Sequence, residues 1–149
     1  MQLSSERYTV DDIMAAQEFY HSRNWTDGLP IVPPTADAVQ QCLDWAMLPP
    51  SHLVGIEPVR AREITAEKQA INSVMAGCLP MHFPLVVTAF TAMLQEPFLL
   101  HGATASTGGC AILTVINGPI RKELGMDGTF NVLGLSLIHI SEPTRHNAI

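Results

Sequence analysis

The chain has 149 residues, a net charge of −6 and no basic stripe, which argues against nucleic acid or an anionic membrane as a partner. Hydrophobic residues make up 47% and charged residues only 15%, against the roughly 25% charged residues of an average globular domain. We therefore expect that a second copy or a partner subunit covers some of the surface, or that part of the domain is missing.

Cysteine usage and apolar runs bear on the cellular compartment. The three cysteines are widely spaced without a CxxC pair, which argues against a disulfide framework. The first residues do not form a basic segment followed by an apolar run, so they do not resemble a signal peptide. The longest apolar stretch, Phe83 to Leu94, is too short to span a bilayer. These features predict a soluble protein of the cytoplasm.

The first half of the chain predicts two helices and a strand. Thr9 and the acids after it predict a helix start, and the apolar spacing continues to about Ser22. The Pro- and Gly-rich stretch 24–34 predicts a turn followed by an extended segment. Thr35 predicts the N-cap of a helix that ends near Leu48, and 53–59 predicts a strand. The side chains expected to face inward on the second helix are Val39, Cys42, Leu43 and Met47.

The second half predicts three more helices, the last a short one that begins at Ile120, and a second strand. Thr65 predicts the cap of a third helix, with Gly77 as its C-terminal cap and Glu67 and Lys68 on a solvated first turn. The stretch 84–95 is apolar on nearly all sides and predicts a buried helix. AILTVI, residues 111–116, has the pattern of a strand covered on both faces. The predicted fold is α/β, with a small mixed or parallel sheet and flanking helices, truncated at the C-terminus.

The last fifteen residues look foreign to the domain. Residues 135–145 read LSLIHISEPTR, which matches the translation of a common transposase sequencing adapter over eleven residues. We interpret 1–134 as a single, incomplete α/β domain and 135–149 as an adapter-derived tail. An ordinary polar tail is the alternative.

Cys78 is the leading candidate for a reactive group. It follows the predicted end of the third helix, where a turn can expose the sulfur, and the thiolate is the reactive form of cysteine. A small buried core residue is the alternative, because free cysteines are often buried. Cys42 is expected to be structural. His82 is expected to lie at the surface, to cap a helix, or to shuttle protons if it lies near Cys78.

Two weaker sites involve the stretch that follows. Sulfur and imidazole ligands suit zinc, but no spacing in the set Cys78, His82, His101 and Cys110 matches a zinc finger, so no metal site is predicted. The loop 101–109, HGATASTGG, can form an anion-binding nest from backbone amides, with Thr104, Thr107 and Gly108 as candidate contacts, or it is a flexible connection.

Polar turns provide the remaining candidates. Asn117 and Gly118 directly follow the predicted strand 111–116, and ligands of open α/β sheets bind at the carboxyl ends of strands. Asp27 and Gly28 form a turn in which the carboxylate is a candidate acid or base. The alternative for both pairs is an ordinary turn. Asn72, on the third helix, is expected to cap or orient a neighbour.

Three segments, NWTDGLPIVPPT, TAEKQAINSVMAGCLPMHFPLVV and AILTVINGP, resemble a family of poorly characterised bacterial proteins. Members occur with, or fused to, the UGSC-type (seleno)protein domain and are labelled thiol-disulfide oxidoreductase-like. The resemblance covers about residues 24–134. The matching positions are Trp25, Asp27, Gly28, Pro30, Pro34, Glu67, Asn72, Gly77, Cys78, Pro80, Asn117, Gly118 and Pro119. The chain contains no UGSC or CGSC motif and lacks the Gly-rich segment expected after its present end, which puts redox activity in doubt.

These observations lead to a functional hypothesis and a rival. The hypothesis is an enzyme or enzyme subunit that acts on a small organic or sulfur-containing substrate through a thiol-centred site. Its catalytic residues would be Cys78, Asp27, Asn117 and His82, and its substrate-binding residues Trp25, Gly28, Asn72, Thr104, Thr107, Gly108 and Gly118. No cofactor is identified. The rival is a non-catalytic binding or scaffold subunit of a larger complex.

Overall fold

The computed structural model describes residues 2–105, 107–108 and 111–126. Its regular elements, in chain order, are α1 (Ile13–Ser22), α2 (Ala36–Ala46), β1 (Leu53–Glu57), β2 (Arg62–Thr65), α3 (Ala66–Met75), a 3-10 turn (Pro80–His82), α4 (Phe83–Met93), a second 3-10 turn (Glu96–Phe98), α5 (Leu100–Thr104) and α6 (Ile120–Glu123). The chain divides into two compact units, Met1–Thr114 and Val115–Ile149. The proposed adapter-derived tail, 135–149, lies outside the described residues, as does the junction near Gly134.

The starts of the helices follow the capping chemistry of the sequence with one change. Thr35 and Thr65 accept hydrogen bonds from the amides of Ala38 and Lys68, so both cap their helices as expected. The cap of α1 is Asp12, not Thr9, because the Asp12 carboxylate accepts the amide of Ala15 at 2.8 Å.

The sheet of the described residues is a two-stranded antiparallel hairpin. β1 pairs with β2 from Leu53 opposite Thr65 to Glu57 opposite Arg62. The expectation of a parallel or mixed sheet is therefore not met in this part of the chain. Residues 111–116, the predicted second strand, form no regular secondary structure, and their side chains are mostly exposed. A strand needs a neighbour for its backbone hydrogen bonds, and apolar pattern alone does not supply one.

The core of the first unit lies where α2, α3, α4 and β1 meet. Its buried residues are Val39, Cys42, Leu43, Val54, Ala66, Ala70, Val74 and Phe83. The expectation that α4 is buried all round is wrong, because Phe83 is its one fully buried residue. Its polar Thr88 and Thr91 are exposed and return their hydroxyls to carbonyls one turn earlier.

Met47 faces solvent, not the core as expected. It adopts the left-handed conformation, with φ 54°, and is 88% exposed. The Leu48 amide donates to the Leu43 carbonyl across this residue, as in a Schellman cap. The helix therefore ends before Met47, which removes this side chain from the inward face.

No single helix in the described part of the chain is long and apolar enough to cross a membrane.

Candidate functional site

A cleft of about 570 Å³ lies between the N-terminal segment and one face of α3. Segment 3–8 forms one side of it, and the first two turns of α3, together with Ile71 and Met75, form another. Val39 and Pro34 add apolar surface from the α2 side. The volume is in the range of small-molecule sites, which are mostly apolar with a few polar groups.

Glu67 fastens the N-terminal segment to the body of the domain. Its carboxylate accepts the backbone amide and hydroxyl of Ser4 and the backbone amide of Ser5, at 2.7–3.0 Å. Burial would raise the pKa of Glu67, but these donors outweigh burial and lower it to about 2. Glu67 is thus ionised at neutral pH although it is only 2% exposed, which overturns its expected place on a solvated turn.

Aromatic side chains line the cleft beside this segment. Tyr8, Tyr20 and Trp25 all face it, and the Trp25 ring centroid lies 5.8 Å from that of Tyr8 and 5.7 Å from that of Tyr20. The guanidinium of Arg23 lies 5.4 Å from the Tyr8 ring centroid and 5.1 Å from that of Phe19. Edge-to-face and cation–π contacts of this kind fix ring orientation, so the aromatic wall is held in place before anything binds.

Gln17 fixes the backbone of the extended segment that follows the Asp27–Gly28 turn. The Gln17 side chain donates to the Ile31 carbonyl at 2.6 Å and accepts the Ile31 amide at 3.1 Å. One residue later, the Val32 amide donates to the Met75 carbonyl at the end of α3. These bonds tie the extended segment that leads to Pro34, a residue of the lining, to both α1 and α3.

Two cations and one amide are within reach of a molecule in the cleft. Arg7, Lys68 and Asn72 line it and are exposed. Neither Arg7 nor Lys68 forms an ion pair with any residue that the structure describes. The Asn72 amide nitrogen donates to the Lys68 carbonyl at 2.8 Å, one turn earlier within α3, so it bonds to its own helix.

The structure brings two predicted binding residues, Trp25 and Asn72, to the same cleft. Asp27 and Gly28 do not line it. The Asp27 carboxylate accepts the Leu29 amide at 3.2 Å within its own exposed turn, and Gly28 has φ +104°, a conformation that favours glycine. The two residues form an ordinary turn, and a role of Asp27 as acid or base stays a prediction.

Cys78 lies at the end of α3 and is half-buried. Gly77 has φ +82°, and the Cys78 amide donates to the Ser73 carbonyl at 2.9 Å, so the predicted glycine cap is confirmed. Burial raises the pKa of the Cys78 thiol. Burial likewise raises the pKa of the fully buried Cys42, and the charge of a Cys78 thiolate raises it further. Both thiols are therefore mainly protonated at neutral pH.

His82 serves the turn that follows Cys78. Its Nδ1 accepts the Leu79 amide at 3.2 Å, which matches the expected capping role. No group of three or more potential ligands suited to a metal ion occurs among the described residues, and Cys110 lies outside them.

The remaining predicted contacts fall in two places. The stretch 101–109 is not a loop throughout, since α5 extends to Thr104, and Thr107 and Gly108 are exposed bends. Asn117 and Gly118 belong to the second unit, where Asn117 is exposed and the Gly118 carbonyl accepts the Arg121 amide. Residues 111–116, directly before Asn117, form no strand, so the argument from a strand end no longer applies. A composite site with Cys78 stays a prediction.

Sequence reasoning missed Ser4, Ser5 and the role of Glu67. The one local signal was an acid in the first turn of a Thr-capped helix, which is also typical of a solvated helix start.

Comparisons of the chain with protein-family models, curated protein sequences and solved structures found no match, so its function has to be argued from its own residues.

Proposed function

We propose that this chain is an enzyme or enzyme subunit whose cleft between segment 3–8 and α3 binds a small organic substrate. The observation that carries the proposal is the cleft itself, with about 570 Å³ of space, an aromatic wall and an apolar floor. Small-molecule sites combine these same features with a few fixed polar groups.

Preorganisation supports the proposal. The charged Glu67 holds segment 3–8 through bonds of 2.7–3.0 Å, and Gln17 holds Ile31, three residues before Pro34 of the lining. A ligand that enters this site orders few new groups, which favours affinity.

The test is a ligand screen by protein-detected NMR against small aromatic and aliphatic compounds. Trp25→Ala should weaken binding of the compounds found by about tenfold, because burial of one aromatic contact contributes on the order of 1–2 kcal/mol. Trp45→Ala is the matched control, since Trp45 is 60% exposed on α2 and does not line the cleft. Equal effects of the two substitutions would refute a site at the cleft.

Thiol chemistry at Cys78 is the second candidate. The favouring observation is the pair of thiols, with half-exposed Cys78 close enough to buried Cys42 for its charge to raise the pKa of Cys42. The raised pKa values oppose a standing thiolate, so activation would have to come with the substrate. Loss of an activity in Cys78→Ser but not in Cys42→Ser would support this role. In that case Asp27 as acid or base and Asn117 as anion donor would be tested next.

A further inference from the structure

We infer that the cleft selects a planar aromatic ligand that bears one carboxylate, with its ring against the Tyr20–Trp25 wall and its carboxylate between Arg7 and Lys68. The inference rests on the proposed function and adds the chemical class of the ligand. It follows from which charged side chains of the cleft already have a hydrogen-bond or ion-pair partner and which do not.

The two carboxylates of the cleft already accept hydrogen bonds from the protein. The Glu67 carboxylate is 2% exposed and surrounded by the donors of Ser4 and Ser5, so a ligand has no access to it. The exposed carboxylate of Glu6 accepts the Tyr8 hydroxyl at 2.7 Å. This hydrogen bond is the main reason why the pKa of Tyr8 is raised, and the Tyr8 hydroxyl therefore stays a neutral donor at neutral pH.

The basic groups are free to bind. Arg7 and Lys68 line the cleft and make no ion pair with any residue in the described ranges. The four charged residues of the lining, Glu6, Arg7, Glu67 and Lys68, sum to zero, but both carboxylates already accept hydrogen bonds, whereas neither cation has an ion-pair partner among the described residues. A ligand carboxylate can therefore pair with either cation, and an arginine guanidinium matches the flat shape of a carboxylate.

The start of α2 adds to the preference for an anion. Its cap Thr35 and first residue Ala36 line the cleft, and α2 is eleven residues long, so the positive end of its dipole faces the site. A phosphate-type polyanion fits less well, because Glu6 would repel the additional charge and the cleft has no glycine-rich loop.

The preference for an aromatic ring in the ligand follows from the Tyr20–Trp25 wall. Tyr20 and Trp25 lie with centroids 5.7 Å apart, tilted by 58°, and present ring surface to the cleft. Trp25 is 46% exposed, which leaves area for a further ring. Aromatic pairs gain about 0.5–1.5 kcal/mol beyond area burial, so an aromatic acid is preferred over an aliphatic acid of equal charge.

The experiment compares three probes, benzoate, benzamide and acetate, by calorimetry or NMR titration of the full chain at low salt. We expect benzoate to bind about tenfold more tightly than benzamide, and acetate to bind weakest. Arg7→Gln and Lys68→Gln should each reduce the preference for benzoate about fivefold and leave benzamide unchanged. Lys68→Arg should retain the preference. Arg62→Gln, on an exposed position of β2 outside the cleft, is the matched control.

The outcomes separate this inference from the proposed function. Equal affinities for benzoate and benzamide, or a preference that survives both glutamine variants, would overturn the carboxylate assignment while the cleft remains a binding site. Tighter binding of acetate than of benzoate would overturn the aromatic assignment. Failure of every probe and of the broader screen would remove the proposed function together with this inference. Thermal melts of each variant check that the domain stays folded, and Arg7→Gln tests the loss of a positive charge even if Lys68→Gln unfolds.

Discussion

The Glu67 carboxylate accepts both the backbone amide and the hydroxyl of Ser4, at 3.0 and 2.8 Å, across 63 positions of sequence. The Ser5 amide adds a third donor at 2.7 Å. A charged, buried acceptor at the start of α3 thus fixes a segment that has no regular secondary structure of its own. The side of the cleft that segment 3–8 forms depends on this contact, and the first two predictions test it.

Glu67→Gln should lower the free energy of unfolding by about 1–3 kcal/mol, the range for hydrogen bonds to a charged group. The amide keeps one acceptor oxygen but turns an NH₂ group towards donors, and it loses the charge. Urea denaturation followed by circular dichroism measures the change. Glu63→Gln, exposed on β2, is the control and should change stability by less than about 0.5 kcal/mol. An equal effect of the two variants would show that Glu67 is not a structural anchor.

Stability should fall in acid because of the same residue. The folded pKa of Glu67 is about 2, below its ordinary value of 4.5, so its contribution is complete above the unfolded pKa and disappears as pH falls through the folded one. The difference in unfolding free energy between the parent chain and Glu67→Gln should therefore be constant above about pH 5 and shrink towards pH 2. A difference that is the same at pH 7 and pH 2.5 would contradict an ionised Glu67.

Met47→Gly should stabilise the protein by about 0.5–1 kcal/mol. Met47 is in the left-handed region at φ 54°, where a Cβ is unfavourable and glycine is not, and its 88% exposed side chain loses little packing. Gln41→Gly is the contrasting control, because Gln41 is exposed within α2 and glycine there should destabilise by about 0.5–1 kcal/mol. Thermal unfolding of both variants gives the comparison, and destabilisation by Met47→Gly would show that the methionine packs.

Cys78 should react with a thiol reagent before Cys42, and both should react more slowly than a free thiol at pH 7. Burial raises the pKa of each, and Cys42 has no exposed surface. Alkylation at increasing pH, with mass spectrometry to locate the label, measures the two rates separately. A Cys78 that reacts faster than a free thiol would reverse this expectation and favour the thiol-centred enzyme.

Local signals predicted much of the first unit. The caps at Thr35 and Thr65, the existence of α1 to α4 and the glycine cap at Gly77 all follow from short-range chemistry that a sequence displays directly. The cap of α1 was predicted three residues too early and the end of α2 two residues too late. The predicted strand 53–59 has the same start as β1 and ends two residues later. β2 was missed, because REIT is short and pairs only through its neighbour across the hairpin.

The site could be predicted only in part, because its contacts join segments that lie far apart in the sequence. Trp25 and Asn72 were named from turn and helix positions and do line the cleft, but nothing in either segment indicated that segment 3–8 faces them. Glu67 was assigned to solvent because the groups that donate hydrogen bonds to its carboxylate lie more than 60 positions away in the sequence. The same limit affected 111–116, where an apolar pattern was read without knowledge of a pairing strand.

The bonds between Glu67 and the Ser4–Ser5 pair also bear on how the protein is best handled in the laboratory. Two of the donors are backbone amides near the start of the chain, so no substitution of these serines by another non-proline residue removes them. Deletion of the first five residues does remove them, and a purification tag fused ahead of Leu3 places foreign chain beside the cleft. Binding measurements should therefore use the chain without an N-terminal tag.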